Sequence, residues 1–207
     1  MSIICFIDDS PFEHDLVRND IAPCTEEFEF VYAYTFDEAK SLLNSRIPSL
    51  FLLDLWGQDE SITDPYITPR AELEKKIKDL PSLDYIYKGI AEFEGDSCNE
   101  YLRRLFSIVD GWRTMFEEVC ARIGQNRKYG ISNLLQVRIY YPDIPAIFYT
   151  RKSLINDAVA MFRAKSNGLF IKPTGSDDKE TSLLTKKYAP QLISELKKFI
   201  TTKVIPS

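Results

Sequence analysis

Two short apolar runs, each stopped by a carboxylate, constrain this chain more than any other feature. Residues 3–7 read Ile-Ile-Cys-Phe-Ile and break into Asp8-Asp9, and residues 50–53 read Leu-Phe-Leu-Leu and break at Asp54. Runs of four or five apolar residues without polar alternation fit strands covered on both faces, as in a parallel sheet flanked by helices. The first run is short and rich in β-branched residues, which favours strand over helix.

The segments around these runs alternate accordingly. Ser10 is placed to cap a helix over residues 11–20 that opens with Pro11, where the missing N–H costs nothing. Residues 28–33 form a second strand, and Thr35 with Glu38 makes a capping box for a helix over 36–44. The pattern resumes with a helix over 126–141 and a strand over 144–149 ending at Thr150. A helix over 153–165 and a strand over 168–171 ending at Lys172 follow. Pro190 should interrupt the last amphipathic stretch, leaving a final helix over 191–201. Five strands alternating with helices predict an α/β fold with a doubly wound, five-stranded parallel sheet. Ligands of such sheets gather outside the carboxyl ends of the strands, where Asp8, Asp9, Asp54, Thr150 and Lys172 all fall.

Residues 56–125 are too many for a loop in a compact domain unless they carry structure of their own. Helices are expected over 69–80, 81–93 and 99–123, the last ended by Gly124. Leu102, Leu105, Val109, Trp112, Phe116, Val119 and Ile123 recur every three or four residues. Such a stripe serves either as the buried side of a helical hairpin or as a homodimer seam or partner groove. The expected organisation is therefore a discontinuous domain of residues 1–56 and 126–207, split by a helical insertion over 57–125. Residues 56–125 hold 14 acidic and 9 basic residues, so the chain's whole net charge of -5 lies there.

That charge, with a pI near 5.1, argues against nucleic acid as a partner, since such binding needs Lys and Arg to neutralise phosphates. Cys5, Cys24, Cys98 and Cys120 are widely spaced, and with one histidine, His14, they offer no zinc pattern. His14 is expected on an exposed helix face. No run approaches the ~20 apolar residues of a membrane span, and the N-terminus lacks the basic flank and apolar length of a signal peptide. A cytoplasmic protein without membrane contact is the expectation.

Two acids at one strand end, one at a second, a hydroxyl at a third and an ammonium at a fourth make a mixed-charge site. Carboxylate oxygens suit a hard divalent cation such as Mg²⁺. With charge neutralised, Asp54 could attack a phosphoryl donor while Lys172 and Thr150 hold the phosphoryl oxygens.

The segments FIDDSP at 6–11, LLDLW at 52–56, IPAIFYT at 144–150 and GLFIKP at 168–173 resemble the CheY-like receiver domain of response regulators. The likeness covers about 130 residues on both sides of the insertion. It implies a flavodoxin-like sheet of order 2-1-3-4-5, with the insertion between the third strand and third helix. It further implies Asp54 as phosphoacceptor, Asp9 as a direct Mg²⁺ ligand, Asp8 as an acid acting through metal-bound water, and the Trp56 carbonyl as the remaining protein ligand. Lys172 would pair with the phosphoryl group, Pro173 would follow it in a cis-peptide turn, and Thr150 would be the switch hydroxyl.

The implied function is a two-component phosphorelay switch rather than an enzyme, with autodephosphorylation its one self-directed reaction. A histidine kinase or phosphotransfer protein would supply the phosphoryl group. As the last expected helix ends close to Ser207, output would pass through protein contacts of the receiver or its insertion to a downstream protein.

The sequence departs from the family pattern at three places. Arg151 stands where a small residue usually follows the switch hydroxyl, and could gate the site or bind phosphate. Leu169 replaces a switching aromatic, with Phe170 facing the other way. The insertion interrupts the loop after Asp54, and an Asp-Gly before the third helix is reduced to Tyr129-Gly130. The alternative reading is a non-phosphorylatable pseudo-receiver that binds partners or dimerises through the insertion. An aspartate-nucleophile phosphatase fits poorly, because its DxDx(T/V) pattern would meet Ser10 at the third position.

Overall fold

A computed structural model describes residues 1–58, 64–151 and 155–201, with only the backbone of residues 155, 156 and 158. It divides into two compact units, Met1–Gln58 with Arg127–Ser207, and Asp59–Asn126. Gly57 and Gln58 thus belong with the first unit, two residues beyond the expected edge. A Cβ on Gly57 would lie 2.4 Å from the Tyr129 ring, and the Gln58 N–H donates to Asp9 at 2.6 Å.

The first unit contains β1 (Ser2–Ile7), α1 (Pro11–Leu16), β2 (Phe28–Ala33), α2 (Phe36–Leu43), β3 (Leu50–Leu53) and β4 (Gly57–Gln58). Every strand of its five-stranded sheet is parallel to its neighbours, and the order is 2-1-3-4-5 counting sheet strands along the chain. Beyond the second unit, the first resumes with α6 (Lys128–Tyr140), β6 (Ala146–Thr150), α7 (Ile155–Arg163), β7 (Gly168–Ile171) and α8 (Asp178–Thr201). The second unit holds α3 (Arg70–Asp79), α4 (Asp84–Tyr87), α5 (Ser97–Arg122) and β5 (Gln125–Asn126).

The sheet is covered on both faces, as the unbroken apolar runs require. Ile4, Phe6, Leu50, Leu52, Ile147 and Tyr149 form one core with Val17, Ile21, Ala189, Leu192 and Leu196. The alternate residues Ile3, Cys5, Ile7, Phe51, Leu53 and Phe148 are also buried, on the opposite face. There Phe51 meets Phe36 and Tyr141 at ring-centroid distances of 6.5 and 5.2 Å. Phe170 packs edge-on against Phe199.

Several local expectations are corrected. The first helix keeps α geometry only to Leu16 and continues as a π turn over Val17–Ile21. The fourth sheet strand begins at Ala146 rather than residue 144, and the expected start of the following helix at Ser153 lies outside the described residues. Pro190 does not end a helix: α8 runs through it. A mid-helix proline costs about 3 kcal/mol, but Thr181, Thr185, Ala189, Leu192 and Leu196 form one buried line. Burying Leu192 and Leu196 alone offsets that loss at roughly 1.5–3 kcal/mol each.

In the second unit the expected helix over 81–93 shrinks to Asp84–Tyr87. The Arg104 guanidinium donates to the carbonyls of Tyr85, Ile86 and Lys88, and Gly89 adopts a left-handed φ of 62°. Acceptors that a longer helix would use inside itself are taken by a neighbouring side chain. The α5 stripe is not a buried hairpin seam throughout: Leu102, Val109 and Trp112 are exposed, while Ile108 and Cys120 are buried. No helix of the described residues is long and apolar enough to cross a membrane.

Candidate functional site

Each of the acids, the hydroxyl and the lysine is delivered by the end of a sheet strand. Asp8 follows β1, and its N–H donates to the Ala33 carbonyl at 3.1 Å; Asp54 follows β3, and its N–H donates to Ile7 at 2.8 Å. Thr150 is the last residue of β6, and its carbonyl accepts from the N–H of Lys172 just past β7 at 2.9 Å. These ladder bonds extend the parallel sheet by one residue and fix the carboxylates, hydroxyl and ammonium at one edge.

Oxygens of Asp8, Asp9 and Asp54 lie within 4.8 Å of one another. The Lys172 ammonium donates to Asp8 and, at 3.0 Å, to Asp54, with Glu13 at 3.4 Å. Asp54 is buried rather than solvent-facing, as are Asp8, Thr150 and Lys172, and the Phe6 and Tyr149 rings lie 5.9 and 5.6 Å from the ammonium. Taking charges out of water in this way is costly unless they are paired, which explains the density of pairing.

Burial pushes the Asp8 carboxyl up to about 7, against the pull of Lys172 and with the help of the Asp54 charge. Asp9 is also raised, mainly by burial and despite the bond from the Gln58 N–H. For Lys172, burial opposes the ammonium, but Asp8, Asp54 and Glu13 outweigh it and hold its pKa above the ordinary lysine value. Burial and the pairing with Lys172 thus pull the Asp8 carboxyl in opposite directions, while its carboxylate partners keep Lys172 charged.

The donor set fits a hard divalent cation, because three carboxylates converge at the strand ends and hard oxygen ligands suit Mg²⁺. Asp8, Asp9 and Asp54 supply these oxygens, and Trp56 is buried two residues beyond Asp54. The loop carrying Trp56 is held by Gly130: its N–H donates to the Leu55 carbonyl at 3.0 Å, and a Cβ there would come within 2.4 Å of the Asp54 carbonyl oxygen. Tyr129 covers Gly57 and donates its hydroxyl to the Tyr34 carbonyl at 2.6 Å.

Arg151 is turned away from solvent. Its Nε donates to Glu13 at 2.7 Å, and its Nη1 donates to the Pro173 carbonyl and, at 3.0 Å, to the Thr174 hydroxyl. The Lys172–Pro173 peptide is trans, and no cis bond occurs among the described residues, which corrects the expected cis turn. An X–Pro bond favours trans by about 0.5–1 kcal/mol, and the trans chain already brings Lys172 to both aspartates.

Two participants escaped sequence reasoning. Glu13 carries the Ser10-x-x-Glu13 signature of a capping box, and its N–H does reach the Ser10 hydroxyl at 3.4 Å. Ser10, however, gives its own N–H to Asp8 at 2.9 Å, which frees the Glu13 carboxylate for Arg151 and Lys172. His14 is buried, correcting the expectation of an exposed residue. It stacks on Tyr34 at 4.4 Å and bonds the Asp8 carbonyl through Nε2 at 2.9 Å, and burial lowers its pKa.

No protein-family model and no curated protein matches this chain. Among solved structures, the response regulator domain of Thermotoga maritima CheB is similar over 98% of each chain, with 14% identity and a TM-score of 0.51. A response regulator from Thermotoga maritima is 11% identical over 98% of this chain and 99% of its own, with a TM-score of 0.49. A CheY-like receiver domain protein from Methanospirillum hungatei is 14% identical over 96% and 98%, with a TM-score of 0.44. At such identities the first of these likenesses speaks to the fold, which is that of a flavodoxin-like receiver domain.

Proposed function

We propose that this protein is a phosphoryl-acceptor switch of two-component signalling, with Asp54 as the acceptor. The observation that carries the reading is the convergence of Asp8, Asp9 and Asp54 on one strand edge, with Lys172 3.0 Å from Asp54. A histidine kinase or phosphotransfer protein supplies the phosphoryl group. An Asp54 oxygen forms a bond to phosphorus as the bond to the donor breaks, and water later returns the group as inorganic phosphate.

Asp8, Asp9, Asp54 and the Trp56 carbonyl are the groups that would hold Mg²⁺. Bound there, the ion offsets the charge gathered on carboxylate and phosphoryl oxygens. Lys172 supplies the fixed cation for a phosphoryl oxygen, and the Thr150 hydroxyl reports its presence. The protein acts in the cytoplasm, turns over no substrate beyond hydrolysis of its own adduct, and passes the signal on through protein contacts.

Intact-mass analysis after incubation with acetyl phosphate and Mg²⁺ tests this. One phosphoryl adduct is expected on the wild type and none on Asp54→Asn. That variant should still fold, since Lys172 keeps Asp8 and Glu13 as partners. No adduct on the wild type, or an adduct that persists in Asp54→Asn, overturns the assignment.

A further inference from the structure

Around Lys172 the charges are layered. Asp8 and Asp54 hold it directly, and Glu13, in the first turn of α1, stands at 3.4 Å. Behind Glu13 lies Arg151, 2.7 Å away and itself anchored on the Pro173 carbonyl and the Thr174 hydroxyl, with its guanidinium 5.9 Å from the Phe12 ring. One buried carboxylate thus bridges two cations, tying α1 to the residue after Thr150 and to the turn after β7. The aspartates and the switch hydroxyl account for none of these contacts.

We propose that Glu13 and Arg151 form a charge latch that sets how readily Lys172 can turn to a phosphoryl group on Asp54. This deepens the phosphoryl-acceptor reading and rests on it. Lys172 has three N–H donors: two go to Asp8 and Asp54, and the Glu13 carboxylate pairs with the same ammonium at 3.4 Å. An arriving phosphoryl group needs one of those donors, and Glu13, the most distant of the three partners, is the one that gives way. Arg151 decides how easily it does so. While Arg151 holds and neutralises Glu13, the carboxylate competes weakly for Lys172; without Arg151, Glu13 is an unbalanced buried anion that must turn to the ammonium.

Arg151 therefore acts as a positioning residue through Glu13, not by contact with the phosphoryl group. A guanidinium that touched the phosphoryl group would matter whether or not Glu13 were present. One that acts through Glu13 matters only when the carboxylate is there.

The test is a double-mutant cycle on the full chain, with the rate of adduct formation from acetyl phosphate and Mg²⁺ followed by intact mass. Glu13→Gln should speed uptake and Arg151→Ala should slow it, each by about tenfold, the factor that corresponds to ~1.4 kcal/mol. On the Glu13→Gln background, removing Arg151 should change the rate less than about twofold. Arg151→Gln, which keeps a donor for Pro173 and Thr174 but no charge, should follow Arg151→Ala and guards against a folding defect. Equal effects of the Arg151 change in both backgrounds, or no effect in either, would overturn the latch while leaving the acceptor reading intact. Absence from every protein would overturn the acceptor reading and the latch with it.

Discussion

In the α/β unit, Ile4, Phe6, Leu50 and Leu52 are wholly buried within strands, whereas in the helical unit α5 turns Leu102, Phe106, Val109 and Trp112 to solvent. The helical unit carries a network of ion pairs instead. Lys76 and Arg122 reach Glu118 at 2.8 and 3.0 Å, Arg122 also meets Glu72, and Arg104 joins Glu100 to the carbonyls around α4. The difference shows where chemistry can be built. Buried strands locate carboxylates to within a fraction of an ångström because packed cores resist displacement. Partly solvated ion pairs such as Lys76–Glu118 and Arg122–Glu118 add little each and weaken with salt, so the arrangement they support depends on conditions.

Truncating one leucine in each unit should separate the two regimes most sharply. Leu52→Ala removes a fully buried side chain from β3 and should cost about 2–5 kcal/mol in denaturant unfolding. Leu102→Ala trims an exposed residue of α5 and should change stability by no more than about 0.5 kcal/mol. A large loss from Leu102→Ala would mean that this face is covered in solution, by a second copy or another partner, and concentration dependence of that loss would identify self-association.

Much of the α/β unit was legible because an apolar run with no alternation admits few structures, and because the acids that end such runs mark the site. Asp8, Asp9, Asp54, Thr150 and Lys172 come together for that reason. Less legible were the residues whose role depends on partners far away in sequence. Glu13 looks like a local cap until Lys172 and Arg151 are brought beside it, and His14 looks exposed until Phe6, Tyr32 and Tyr34 close around its ring. Pro190 misled because its local penalty is visible in the sequence while the buried line through Ala189, Leu192 and Leu196 is tertiary. In the helical unit, a spacing of three and four residues revealed a helix, but periodicity alone does not say which side is covered.

The α/β unit should respond to pH and divalent ions. The Asp8 carboxyl, at about 7 in the fold against an ordinary 3.8, binds its proton more tightly when folded. Stability from that proton is fully present below the ordinary value and is lost as pH rises through about 7. Unfolding of metal-free protein should therefore become easier between pH 5 and 8, and Mg²⁺ should restore stability above pH 7. Its affinity, followed through Trp56 fluorescence in a Trp112→Phe background, should fall by up to about tenfold per pH unit below 7, where protons compete for the carboxylate. A flat Mg²⁺ affinity from pH 5 to 8 would show that Asp8 is ionised throughout and that Lys172 pairing outweighs its burial.

Salt should do to the helical unit what protons do to the other, with a smaller effect. Screening lengths shrink from about 10 Å at 0.1 M salt to about 3 Å at 1 M, and the side chains of Lys76, Arg113, Glu118 and Arg122 are all partly solvated. Raising NaCl across that range should speed amide exchange in α3 and α5 by roughly twofold to fivefold, since exposed pairs are individually weak. Amides of β1, β3 and β6 should hardly change, because their protection comes from buried apolar packing. Equal insensitivity in both units would assign the helical unit's cohesion to its buried apolar side chains, Ile86, Ile108 and Cys120 among the described residues. Its ion pairs would then set solubility and partner choice rather than shape.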